Sequence, residues 1–83
     1  MAYLYILQSL VNSRYYIGST EDWKRRLGEH NQGKSRYTRL TKPFRIVFLK
    51  SYSTLKEAHG IELELKKLKS RKIIERLIEE QKI

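Results

Sequence analysis

Three groups of residues in this 83-residue chain have the types and spacings that could do chemistry. The first is a set of tyrosines near the start: Tyr3, Tyr5, Tyr15 and Tyr16, four of the six in the chain. On an extended strand Tyr3 and Tyr5 share one face and Leu4 and Ile6 the other, while Tyr16 and Gly18 share a face of the next segment. If those two segments pair as a hairpin, Tyr5 and Tyr16 come close together. Such phenols usually pack in a core or at its rim, but beside a strong positive charge a phenol can also accept and pass on a proton. The second group is Arg26 with His30, spaced four apart and aligned with Trp23 and Leu27 on one side of a helix. Trp23 and Leu27 read as core anchors. Arg26 and His30 are then either snorkelling side chains at the rim of that stripe or a cation and a proton carrier held against the sheet. The third is Glu62, which follows Leu55 and Ala58 and precedes Leu65 at helical spacing, a carboxylate inside an apolar stripe. Burying it requires a partner, either a salt bridge to a first-helix arginine or a metal ion. Glu57 and Glu64 fall on other sides of that helix and read as solvated. His59 lies at the edge of the stripe and is assigned no chemistry.

The elements that must hold these residues are legible from pattern. Tyr3–Gln8 alternates and is rich in aromatic and branched residues, as a strand requires. Asn12 and Ser13 suit a turn, and Tyr15–Gly18 reads as the returning strand of a hairpin. Gly18 is expected to end that strand where an unusual backbone conformation is needed. Thr20 with Glu21 and Asp22 reads as a helix start, a hydroxyl cap followed by acids in the first turn, with the helix running to about Asn31 and stopping at Gly33. A basic stretch without periodicity leads to Pro43. Phe44–Tyr52 (FRIVFLKSY) is the strongest strand, and Thr54 with Glu57 forms a capping box that opens a helix through about Lys69. Ser70 restarts a third helix with Ile73, Ile74, Leu77 and Ile78 as its apolar stripe. The order is β-β-α-β-α-α, an α/β fold of the α+β type: a small, mainly antiparallel three-stranded sheet flanked by helices. The length suits one domain over residues 1–83.

Charge narrows the classes of partner. Eighteen Lys and Arg against nine Asp and Glu leave a net charge of +9, more than solubility requires, and this points to a polyanion such as DNA or RNA. Lys34, Arg36, Arg39, Lys42 and Arg45 cluster after the first helix, with Tyr37 interleaved where it could stack on a base. They are expected to track phosphates beside the site. Lys66, Lys67, Lys69, Arg71 and Lys72 form a second basic run. The absence of cysteine excludes disulfides and thiolate zinc sites. No apolar run approaches the length of a membrane span, and the first residues lack the pattern of a signal peptide, so a cytoplasmic protein without membrane contact is expected.

These residues resemble the pattern of the GIY-YIG nuclease superfamily, in particular its small stand-alone bacterial members. Tyr3-Leu4-Tyr5 stands where the first motif belongs, ten residues intervene, and Tyr16-Ile17-Gly18 is the second motif intact. Arg26 lies ten residues after Tyr16, His30 four later, and Glu62 falls on the helix after the third strand. Arg26-Leu27-Gly28-Glu29-His30-Asn31 and Arg36-Tyr37-Thr38-Arg39 are similar to stretches of the small members. The first motif's glycine is Tyr3 here, and no counterpart is found of a late asparagine present in some restriction-enzyme relatives. The resemblance implies a metal-dependent endonuclease acting on phosphodiester bonds, of DNA rather than RNA. It implies one divalent ion, Mg2+ or Mn2+, on Glu62, with Arg26 clamping the scissile phosphate. A motif tyrosine is the base, Tyr5 with Tyr16 as its hydrogen-bonding partner or the reverse, and His30 is a proton relay. Relatives usually owe their targeting to a second domain, so a partner protein in that role is expected. A non-catalytic nucleic-acid-binding module on the same fold is the competing reading.

Overall fold

A computed structural model of the chain describes residues 1–34, 41–68 and 70–81. Its elements are β1 (Ala2–Ser9), β2 (Tyr15–Thr20), α1 (Trp23–Asn31), β3 (Phe44–Tyr52), α2 (Leu55–Leu68) and α3 (Arg71–Gln81). This is the expected β-β-α-β-α-α order. The sheet runs β2-β1-β3, antiparallel at both junctions, so β1 is central and its two neighbours are both edges.

β1 is central because it is apolar on both faces, and the two sets of side chains make two cores. Leu4 and Ile6 pack with Phe48, Leu65 and Ile78 under α2 and α3. Tyr5 and Leu7 pack with Phe44 on the face that α1 covers, with Tyr16, Leu27, Ile46 and Leu49 around them. The register slips once: Ile6 faces Phe48 but Leu7 faces Ile46, which leaves Val47 as the extra residue of a bulge on β3. Ile74 and Leu77 of the α3 stripe join the first core, whereas Ile73 at its edge is 38% exposed.

The hairpin turn is built by two short side chains. Ser9 Oγ, buried at the end of β1, accepts from the Val11 and Asn12 amides and donates to the Thr41 carbonyl at 2.6 Å. The Arg14 amide donates to Asn12 Oδ1, and Ser13 takes the left-handed conformation between them, φ 64°.

Three local expectations are corrected. β2 runs through Gly18 to Thr20, and Gly18 has no left-handed φ; its requirement is one of space, set by the Tyr5 ring that lies against it. The cap of α1 is Asp22, whose carboxylate accepts from the Arg25 amide. Thr20 instead ends the strand and holds the Asp22 amide through its hydroxyl at 3.1 Å. The acids therefore precede the helix and do not occupy its first turn. Trp23 belongs to neither core; it is half-buried, with the Lys24 ammonium 5.7 Å from its ring. The remaining signals hold: Gly33 follows α1 with φ 77°, Thr54 caps α2 with Glu57 at hand, and the Ser70 hydroxyl accepts from the Ile73 amide at the start of α3.

Candidate active site

Tyr5, Tyr16, Arg26, His30 and Glu62 all line one cleft of about 450 Å3, together with Tyr15, Ile17, Gly18, Ser19 and Lys66. Successive residues of β2 point to opposite faces, yet all of Tyr15–Ser19 line the cleft. The cleft therefore wraps the free edge of β2 and draws Glu62 from the α2 side toward tyrosines on the α1 side.

The register sets the tyrosines. Tyr5 pairs with Gly18 and Leu7 with Tyr16, so the two phenols are diagonal neighbours on one face. The Tyr5 ring lies across Gly18: a Cβ there would fall on the phenol oxygen and Cζ and come within 2.9 Å of Cε2. Glycine is thus required at the third position of Tyr16-Ile17-Gly18 so that the Tyr5 hydroxyl can reach the cleft. The expected hydrogen bond between Tyr16 and Tyr5 is replaced by another. The Tyr16 hydroxyl meets Thr41 Oγ1 at 3.3 Å, and its ring stands edge-on to Phe44 with centroids 5.1 Å apart.

Arg26 and His30 reach the tyrosine face as their spacing suggests. The Arg26 guanidinium lies near enough to the Tyr5 phenol to influence its titration, and it holds Glu29 at 3.2 Å. Burial works against its charge, but the phenol and Glu29 outweigh burial and the group stays fully protonated. His30 is buried, 5% exposed, and stands edge-on between Tyr5 and Phe44 with centroids 6.4 and 5.9 Å away. Burial first, and then the Arg26 charge, lower its pKa, so the imidazole is neutral at physiological pH. Asn31 fixes the end of α1 by clasping the Phe44 backbone, accepting from its amide at 2.6 Å and donating to its carbonyl at 3.2 Å. Nothing in the sequence pattern singles out that clasp.

The Tyr5 pKa runs against the simplest sequence argument. Burial raises it above the ordinary tyrosine value; the neighbouring Arg26 lowers it only in part, and the Glu62 charge, which raises it, is opposed by a smaller contribution from Lys66. The phenol is therefore protonated at physiological pH.

Glu62 is buried as the stripe predicts, 7% exposed beside Ala58 and Leu65. Its partners are not first-helix arginines. Lys66 Nζ lies 2.6 Å from Oε2, the Ser19 hydroxyl donates to Oε1 at 2.6 Å, and His59 Nδ1 is 3.3 Å from the same oxygen. Burial alone would raise its pKa, but Lys66 foremost, then Ser19 and His59, hold it below the ordinary carboxylate value, so the group is ionised. Spacing could have flagged Lys66 and His59, at i+4 and i−3 from Glu62 on one helix. Ser19 comes from another element and carried no such signal.

A divalent ion fits this arrangement. An ionised, preformed carboxylate faces the cleft, and an ammonium already sits on one of its oxygens. Among the described residues no group of three or more His, Cys, Asp and Glu could enclose a metal. A hard ion that keeps most of its waters is the kind such a carboxylate can hold.

Of the expected phosphate-tracking residues, Lys34, Lys42 and Arg45 are exposed, and Arg45 donates to Gln8 Oε1 at 3.1 Å. Arg36, Tyr37 and Arg39, and Lys69 of the second basic run, lie outside the described residues. Lys66 belongs to the cleft, and Arg71 is engaged on the Tyr15 ring and with Glu75. Among the described residues no helix is long and apolar enough to cross a membrane.

Known proteins resemble this chain over most of its length. Residues 1–75 match the family model described as the GIY-YIG catalytic domain. A UPF0213 protein of Streptococcus pneumoniae is 41% identical over 69 residues, 82% of this chain and 69% of that protein. The UPF0213 protein YazA of Bacillus subtilis is 38% identical over 81 residues, 96% of this chain and 80% of that one. The solution NMR structure of the UPF0213 protein BH0048 from Bacillus halodurans matches with a TM-score of 0.61 at 37% identity, covering 98% of this chain and 86% of that one. With the motif tyrosines, the arginine and the glutamate meeting in one cleft and this match over most of its length, the chain belongs to the GIY-YIG family and, within it, to the small bacterial UPF0213 proteins.

Proposed function

We propose that this protein is a metal-dependent endonuclease that hydrolyses phosphodiester bonds of nucleic acid, DNA in preference to RNA. The observation that carries the reading is the meeting of Tyr5, Tyr16, Arg26, His30 and Glu62 around one cleft on a body of net charge +9. Nucleic-acid binding alone needs the positive charge; it does not need a buried, ionised glutamate beside a buried phenol.

Glu62 would hold the divalent ion, Mg2+ or Mn2+, and that ion would supply charge neutralisation at the phosphate and the leaving oxygen. Arg26 offers a guanidinium fork to the scissile phosphate while touching Tyr5, so one residue binds the phosphate and biases the phenol. Water attacks phosphorus, the P–O bond to the leaving oxygen breaks, the water's proton passes to the tyrosine, and the leaving oxygen takes up a proton from solvent to depart as a hydroxyl. Tyr5 is the preferred base, because its hydroxyl faces Arg26 whereas that of Tyr16 is spent on Thr41. The resting phenol must first give up its own proton, and His30, four residues along the same helix from Arg26 with its ring 6.4 Å from that of Tyr5, is the group we assign to relay it. Lys66 keeps Glu62 charged and in place, and its exposed side chain lines the cleft into which a phosphate chain would enter.

The test is cleavage of a labelled panel of single-stranded, duplex, flap and bulged DNA and RNA, with Mg2+, Mn2+ or chelator. The protein is compared with an Arg26→Ala, Glu62→Ala double variant of verified fold. Metal-dependent cutting lost in the variant is expected. Tight binding without cutting, equal in both proteins, would replace the nuclease with a binding module.

A further inference from the structure

Three polar atoms converge on one side of Glu62. Ser19 Oγ lies 2.6 Å from Glu62 Oε1, His59 Nδ1 lies 3.3 Å from the same oxygen, and Ser19 Oγ and His59 Nδ1 are 3.4 Å apart. Adjacent donors around a six-coordinate dication with bonds of about 2.1 Å are separated by about 3 Å. The three atoms thus form a triangle of the size of one face of such a coordination sphere, with a small opening needed on the Ser19–Glu62 side. The rest of the sphere opens outward. His59 is exposed, 56% of its side chain free, and Ser19 lines both the main cleft and a shallow groove shared with Leu55, Lys56 and His59. The other carboxylate oxygen, Oε2, belongs to Lys66, so an ion on Oε1 does not have to displace the ammonium. The helix supplies two of the donors at the i, i+3 spacing that brings both onto one face, and β2 supplies the third.

Resting on the proposal that Glu62 is the metal ligand, we propose that His59 Nδ1 and Ser19 Oγ complete a three-donor site with Glu62 Oε1, and that this site takes a first-row transition dication in preference to Mg2+. The discriminating atom is the imidazole nitrogen. Carboxylate, hydroxyl and water suit magnesium and manganese alike, while imidazole adds affinity for transition ions and little for magnesium. The ring binds through Nδ1, leaving Nε2 to carry the N–H, and the Ser19 hydroxyl turns its proton away from Glu62 to present a lone pair.

The experiment is Mn2+ titration of the full chain, without nucleic acid, followed by electron paramagnetic resonance. Pulsed measurement at saturation detects a directly bound nitrogen. Wild type should show nitrogen coupling, and Mg2+ should displace Mn2+ only at more than tenfold excess. H59A and H59Q should each weaken Mn2+ binding at least tenfold and abolish the coupling; S19A should weaken it several-fold with the coupling retained. Glu62→Gln should remove binding altogether. If Glu62→Gln removes binding while wild type shows no nitrogen coupling and H59A binds equally well, Glu62 stands as the ligand and the three-donor site falls. If Glu62→Gln binds Mn2+ as wild type does, both the site and the assignment of Glu62 as ligand are overturned.

Discussion

Gly18→Ala should be among the more damaging single-methyl additions the chain can receive, and the reason lies in Tyr5. The added Cβ would occupy the space of the Tyr5 hydroxyl and Cζ. Gly18 does not have a left-handed φ, so the backbone tolerates alanine, and the smaller entropy of the unfolded chain favours it by about 0.5 kcal/mol. Set against that is overpacking, which typically costs about 1–3 kcal/mol. The upper part of that range applies, because the ring is 5% exposed and has His30 on one side. A net loss of about 2 kcal/mol lowers the melting temperature of a domain this size by roughly 8–16 °C. Thermal unfolding followed by circular dichroism measures it. Repeating the substitution in a Tyr5→Ala background should bring the penalty to zero or reverse its sign, a coupling of about 2 kcal/mol. A melting point within about 2 °C of wild type, or an equal loss with and without the Tyr5 ring, would refute the crossing of ring over glycine. Any Gly18→Ala protein that remains folded should lose cleavage, since the phenol can no longer reach the cleft.

The titratable groups predict a stability that falls on acidification in two stages. His30 has a folded pKa below its unfolded value near 6.5, so its contribution is complete above that pH and is lost as pH falls below it. Glu62, also lowered, contributes fully above the unfolded carboxylate value and loses that contribution as pH falls through its folded pKa. Urea midpoints from pH 8 to pH 3.5 should show both stages; His30→Gln should remove the first only, and an unchanged first stage would disprove its origin in His30. Replacing the exposed Lys34, Lys42 and Arg45 by glutamine should flatten the dependence of log affinity on log salt by about 0.9 for each phosphate no longer neutralised. An unchanged slope would remove them from the binding surface.

How far the chain can be read from its sequence depends on how local each interaction is. The strand alternation around Tyr5, the stripe through Ala58, Glu62 and Leu65, and the stop at Gly33 are set by neighbours within one or two turns, and all stand in the structure. Gly18 stands out in the sequence as a backbone position, yet the atoms it must accommodate belong to a residue thirteen positions earlier, which no local pattern announces. Thr20 has the look of a cap because its hydroxyl precedes two acids. The hairpin keeps Thr20 in the ladder opposite Tyr3, and Asp22 inherits the cap.

The partners of Glu62 show where such reading ends. A stripe can say that a carboxylate is buried and must be compensated, but several cations lie within reach in a chain this basic. The cross-strand register makes the choice: Leu4 faces Ser19, which turns the serine toward α2, and the helix then places Lys66 and His59 on the two carboxylate oxygens without help from α1. Arg26 instead holds Glu29 at 3.2 Å and reaches toward Tyr5 in the cleft. The two helices thus keep separate charge pairs, Arg26 with Glu29 on α1 and Glu62 with Lys66 on α2, and Arg26 and Glu62 line one cleft without neutralising each other.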